Sequence, residues 1–141
     1  MKKILAILLS SIMVLSNGII ASAEPELDTP IDEEITEDFK YTFSINNSVS
    51  ISGNIASCKS VVEGFYGVAT KIVVSHTLQK KNGSTWSDVA SWNKTFYDWC
   101  VIYGTTSPAQ GHGDYRMKTV ARVYSGSNYE TITVYGLTYT Y

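Results

Sequence analysis

This 141-residue chain is poor in the residues that carry most chemistry. It has 2 cysteines, 2 histidines and 3 prolines, and 17% of it is charged. Two cysteines cannot build a disulfide-dense scaffold. Two histidines fall short of the three or four ligands of a zinc site. There is no phosphate loop, no dinucleotide fingerprint and no Gly-x-Ser-x-Gly elbow to expose a nucleophilic serine. A net charge of −2 excludes the strongly basic balance of a nucleic-acid binder. Helical periodicity is missing from residue 41 onward. These absences remove most enzyme classes, and the expectation is a non-enzyme without cofactor or metal.

The chain starts with Lys2 and Lys3, followed by an apolar run from Ile4 to Leu15 that is too short to span a bilayer. Ala21-Ser22-Ala23 then places small residues before Glu24. Residues 1–23 therefore read as a secretory signal peptide cut near Ala23. The expected product is extracellular and has no membrane span after cleavage. Residues 24–38 hold eight acids and no Lys or Arg, so 24–39 is expected to be an acidic, disordered linker. Residues 40–141 hold nine bases and five acids. The mild net charge thus conceals an acidic arm and a basic body.

The body, 40–141, reads as strands. Val, Ile, Thr, Tyr and Trp dominate, punctuated by Gly, Asn and Ser. Tyr41–Ile45 is expected as a first strand and Ser48–Val62 as a second, kinked or bulged at Gly53-Asn54. Ala56, Cys58, Ser60 and Val62 share one face. Thr70, Ile72, Val74, His76 and Leu78 alternate on the next strand, and Tyr115, Met117, Thr119, Ala121 and Val123 on a later one. Asn82-Gly83 marks a tight hairpin, with Trp86–Phe96 as its return strand. Trp99–Tyr103 is a further short strand, Thr105–Asp114 a loop, and Ser125–Asn128 a hairpin turn. Tyr129–Val134 and Leu137–Tyr141 complete a last strand kinked near Gly136. About seven strands without room for crossovers imply an all-β, antiparallel immunoglobulin-like sandwich, with a small closed β-barrel as the alternative.

Gly113-Asp114-Tyr115-Arg116-Met117 resembles the Gly-x-Tyr-x-Cys stretch of the tyrosine corner in immunoglobulin-like domains. Met117 stands where the second cysteine of those domains falls, so their bridge is not available to Cys58. As a set, Ala56-Ser57-Cys58-Lys59, the run Thr77–Trp86, Ser91-Trp92-Asn93-Lys94-Thr95 and Tyr115-Arg116-Met117-Lys118 are similar to another group. That group is an uncharacterised family of short secreted proteins of Gram-positive gut bacteria, a domain of unknown function. The resemblance covers about 41–141 and implies export and domain limits, but no active site or ligand. Residues 96–112 depart most from its pattern.

Cys58 and Cys100 are candidates for a disulfide, which an exported setting permits; the alternative is a buried free Cys58 with an unrelated Cys100. His76 is expected in the core with a hydrogen-bond partner, and His112 in a glycine-flanked loop. The 3 Trp, 10 Tyr and 4 Phe all lie beyond residue 23. Trp86, Trp92 and Tyr115 are expected at the core or its edge. Tyr97, Trp99, Tyr103, Tyr124, Tyr129 and Tyr135 are candidates for an exposed binding patch. Lys71, Lys94, Arg116, Lys118 and Arg122 are placed on outward faces, where they suit anionic cell-wall polymers or simply keep the sheet soluble. The leading expectation is a secreted, non-catalytic module that binds an extracellular protein or a cell-surface polymer. A carbohydrate-binding module for cell-wall or host glycans is one alternative, and a secreted antagonistic toxin component another.

Overall fold

A computed structural model describes residues 38–141. The expected signal peptide and the expected linker, apart from Asp38 and Phe39, lie outside the described residues. Eight strands follow in order: β1 (Thr42–Ser52), β2 (Ile55–Gly64), β3 (Lys71–Asn82), β4 (Thr85–Phe96), β5 (Cys100–Pro108), β6 (Asp114–Ser125), β7 (Asn128–Tyr135) and β8 (Tyr139–Thr140). One sheet has the order β1-β2-β5. The other has the order β4-β3-β6-β7, with β8 also pairing β6. Every pairing is antiparallel. The described residues contain no helix and neither sheet closes on itself, so the domain is an immunoglobulin-like β-sandwich and not a barrel.

The period of two decides which side chains fill the sandwich. Ala56, Cys58, Ser60 and Val62 of β2 are buried, as are Ile72, Val74, His76 and Leu78 of β3. Tyr115, Met117, Thr119, Ala121 and Val123 of β6 are fully buried as well. Burying a Val, Leu, Ile or Met side chain contributes roughly 1.5–3 kcal/mol each, so this shared interior is the main source of stability.

The interior is divided. Val49, Ile51, Ala56, Leu78, Tyr115 and Met117 pack together towards one end, and Val62, Ile72, Val74, Val101, Ala121 and Val123 towards the other. A belt of polar side chains, one each from β1, β2, β3, β5 and β6, lies between the two. Ser60 Oγ is 2.7 Å from His76 Nε2, and Thr105 Oγ1 is 3.1 Å from His76 Nδ1. Asn47 Nδ2 donates to Thr119 Oγ1 at 2.9 Å and to the Val134 carbonyl at 3.1 Å. Buried polar groups are tolerated when they are paired in this way. Among the described residues, Asn47 Oδ1 is the buried side-chain polar atom left without a partner.

Turn chemistry departs from expectation at two places. Gly53-Asn54 is not a bulge inside one long strand. Both residues have positive φ, +55° and +65°, and they form the two-residue turn between β1 and β2. Asn is one of the few residues besides Gly that visits this region readily. In the next hairpin, Asn82 pairs with Thr85, so the turn is Gly83-Ser84, one residue later than the Asn-Gly signal implies. Thr105–Pro108 is strand rather than loop, because β5 continues along β2 as far as the Ile55–Pro108 pair. Glu130 of β7 fastens the start of β1: its carboxylate accepts from the Lys40 and Tyr41 N–H groups and from Thr42 Oγ1.

Cys58 and Cys100 are free thiols, so of the two readings the structure has the unbridged one, with Cys58 buried. Cys58 pairs with Thr105 and faces the core, whereas Cys100 pairs with Glu63 on the opposite face of the same sheet. Five residues of β2 also separate the two rungs, about 17 Å at the usual strand rise. A disulfide needs Cα atoms within about 7 Å. Adjacency of β2 and β5 was therefore not enough, because register and face both oppose the bond.

Candidate functional site

The six candidate aromatics do not form one patch; the structure distributes them over three places. Tyr103 is half-buried and faces inward. Its ring lies 4.4 Å from the His76 ring and 5.5 Å from Phe96, so it closes the sandwich between β5 and β4 and is not part of an exposed surface. Burial pushes its hydroxyl pKa up.

Tyr97 and Trp99 sit at one end of the sandwich, in the β4–β5 connection. Asp98 shapes that turn by accepting from the Trp99 and Cys100 N–H groups. Trp99 meets Tyr66 edge-on at 5.3 Å, and at the same end Phe43 meets Phe65 edge-on at 6.0 Å. Phe43 and Tyr66 are 68% and 80% exposed, which makes this end an apolar tip. Sequence reasoning missed Phe43, Phe65 and Tyr66. The signal was a register shift: Phe43 is the extra residue between the Thr42 and Ser44 rungs, so the bulge turns it outward.

Tyr124, Tyr129 and Tyr135 lie on the outer face of the five-stranded sheet. β6 alternates with period two, so Arg116, Lys118, Val120, Arg122 and Tyr124 point away from the core. Register then adds Gln79, Thr77, Ser75, Val73 and Lys71 from β3, and Tyr135, Thr133, Thr131 and Tyr129 from β7. The result is a face on which cations and rings alternate. Arg116 Cζ lies 4.3 Å from the Trp86 ring centre and 4.4 Å from that of Tyr135. Arg116 Nε donates to Gln79 Oε1 at 2.8 Å, and Gln79 Nε2 donates to Asp88 Oδ1 at 2.9 Å. Lys118 stands 5.9 Å from the Tyr135 ring. At the other end of the face, Lys71 Nζ is 3.9 Å from the Tyr124 ring, Arg122 is 5.5 Å from Tyr129, and the two Tyr rings are 5.0 Å apart. Each exposed cation–ring contact is worth about 0.5–1 kcal/mol. Together they hold long side chains in defined places before any partner arrives. The carboxylates facing this way, Asp88 and Asp114, both lie at the Arg116 end and accept hydrogen bonds from Gln79 and Thr140.

Trp86 belongs to this face, not to the core edge. A bulge explains the difference. Leu78 pairs with Ala90 but Gln79 pairs with Asp88, which leaves Val89 as an extra residue. The extra residue reverses the alternation, so Trp92 packs on the core while Trp86 turns out over Arg116.

The residues with intrinsic reactivity sit in structural roles. His76 is fully buried, and burial lowers its pKa from 6.5 to about 4. Its contact with Ser60 resembles a nucleophile–base pair, yet both groups are sealed inside the core. Burial pushes the Cys58 thiol up to about 11, against a smaller lowering by its hydrogen bond with Thr105. The Cys100 thiol is also raised, first by desolvation and then by the nearby Glu63 and Asp98 carboxylates. Reactive cysteines need the opposite environment. His112 stacks on Tyr141 at 4.6 Å and lines an open cleft of about 350 Å³ with Lys80, Lys81 and Gln110. Lys80 donates to the Gln110 carbonyl across that cleft. Among the described residues no three His, Cys, Asp or Glu side chains come together as a metal site. Among the described residues there is no helix, and so none long and apolar enough to cross a membrane.

No protein-family model matches the chain, and no curated protein matches it.

Proposed function

We propose that this protein is exported and acts outside the cell as a non-catalytic binding module, engaging a cell-surface polymer through the outer face of its five-stranded sheet. The carrying observation is that face: Lys71, Arg116, Lys118 and Arg122 are each set against an aromatic ring on a ground of hydroxyl and amide side chains. Ordered cations lose less freedom on binding than the same side chains would on a bare surface. Export rests on the charged start, short apolar run and small-residue site of residues 1–23. The non-catalytic reading is supported by the burial of His76, Ser60 and Cys58. The tyrosine-corner reading belongs here too, and its support is the 2.6 Å hydrogen bond from Tyr115 Oη to the Gly111 carbonyl four residues earlier.

The test is adhesion of the purified protein to Gram-positive cell-wall material. The double variant Lys71→Ala/Arg122→Ala is expected to lose it, while Lys59→Ala, on the exposed side of β2, keeps it. Full adhesion by the double variant would refute the assignment of the face. The apolar tip favours a second reading, a protein partner docked on Phe43, Phe65, Tyr66 and Trp99. In that case Phe43→Ser/Tyr66→Ser, and not Lys71→Ala/Arg122→Ala, abolishes binding.

A further inference from the structure

We infer that the ligand of this outer face is an acidic polysaccharide, a linear chain of pyranose rings carrying carboxylates, laid along β6. The inference rests on the proposal that the face is the binding surface and adds the chemistry of what it takes.

The cations fall into two stations. Arg116 and Lys118 form one, buttressed by Trp86 and Tyr135. Arg122 and Lys71 form the other, buttressed by Tyr129 and Tyr124. The rung between them is uncharged: Val120, flanked by Ser75 and Thr133. Lys118 and Arg122 are four residues apart, about 13 Å along the strand. A single small anion cannot occupy both stations at once. A chain with a charge at regular intervals can, and the second contact is then made at high effective concentration.

Three features point to a sugar chain with carboxylates. First, the Arg116 guanidinium lies against two rings, Trp86 and Tyr135, and its Nε is committed to Gln79, so its terminal N–H groups are what remains for a ligand. That edge matches a planar carboxylate in a two-point contact. Second, the rung between the stations carries the hydroxyls of Ser75 and Thr133 on either side of Val120, and a hydroxyl both donates and accepts, as sugar hydroxyls do. Third, Tyr129 and Tyr135 remain 53% and 51% exposed after seating their cations. The electron-rich face of a ring attracts the weakly positive C–H groups on one side of a pyranose. An acidic peptide would satisfy the charges but not use the other two features.

The probes are polygalacturonate, its fully methyl-esterified form, and poly-L-glutamate, titrated into the purified protein while Trp fluorescence is followed. Trp86 is the expected reporter, since it lies against Arg116. Polygalacturonate should bind at least about tenfold more tightly than the other two, and more weakly as salt screens the charges. Lys71→Ala/Arg122→Ala should weaken it about tenfold and Lys118→Ala severalfold, in variants that still unfold cooperatively with midpoints lowered only by the lost cation–ring contacts. Lys118→Ala touches no hydrogen-bond network, so it carries the test if an Arg variant misfolds. Equal binding of the ester removes the carboxylate, and equal binding of polyglutamate removes the sugar; either overturns the inference. If polygalacturonate does not bind while Lys71→Ala/Arg122→Ala still abolishes wall adhesion, the ligand chemistry is wrong and the face stands. If neither effect is seen, both fall.

Discussion

His76 makes the stability of the fold depend on pH. Its ring is fully buried between Ser60 and Thr105, and its pKa falls from 6.5 to about 4. The unfolded chain therefore binds a proton below pH 6.5 that the folded chain refuses until about pH 4. Stability rises with pH wherever the unfolded state holds more protons. The contribution is thus present in full above pH 6.5 and is lost progressively as pH falls towards 4. Linkage with these two values gives a loss of about 2 kcal/mol between pH 7 and pH 5, and about 3 kcal/mol by pH 4. Urea unfolding followed by Trp fluorescence at pH 7, 6 and 5 measures it. His76→Gln keeps a polar side chain in the belt but does not titrate, so its stability should be flat over that range, although lower at pH 7. Glu130 does not confuse the reading. Burial alone would raise its pKa, but hydrogen bonds from Thr42 and from the Tyr41 and Lys40 N–H groups hold it below its usual value of 4.5. Its contribution is present above pH 4.5 and is lost as pH falls through that lowered value. A wild-type protein equally stable at pH 7 and pH 5 would refute the reasoning about His76.

Three further outcomes are expected. In denaturant without reductant, the protein should take up two equivalents of a thiol reagent; in the native state Cys58 should react far more slowly than its exposure in denaturant allows, because it is buried with a pKa of about 11. Tyr115→Phe should lower stability by about 1–2 kcal/mol in urea unfolding, since it deletes the hydrogen bond to Gly111 and leaves that carbonyl to find water. Gly136→Ala should destabilise by roughly 1–3 kcal/mol, because a methyl group there meets the Asn47 side chain, which is itself tied to Thr119 and Val134.

The interior was legible because alternation is a strong signal. In β2, β3 and β6 every second residue from Ala56 to Val62, Ile72 to Leu78 and Tyr115 to Val123 is buried as the pattern implies. The outward cations on β3 and β6 followed from the same parity. What was not legible depended on events that shift parity or register. The extra residue at Val89 sent Trp86 to the outer face, and the shift at Phe43 exposed that ring. The separation of Cys58 from Cys100 needed the β2–β5 register, which no local pattern carries. The six candidate aromatics were scattered for a related reason. Strand residues reveal their face, but which faces adjoin is decided by how strands are ordered in a sheet. Arg116 makes the point well: its own strand shows that it faces outward, yet its setting between Trp86 of β4 and Tyr135 of β7 exists only in the assembled sheet.

The central claim is that the face built by β3, β6 and β7 is the binding surface. Backbone amide NMR shifts of the purified protein, followed as cell-wall polymer is added, test it most directly. The largest shifts are expected at Lys71, Lys118, Arg122, Tyr129 and Tyr135, with the outer face of β1-β2-β5 unmoved. Shifts concentrated at Phe43, Tyr66 and Trp99, or spread evenly over both sheets, would contradict it.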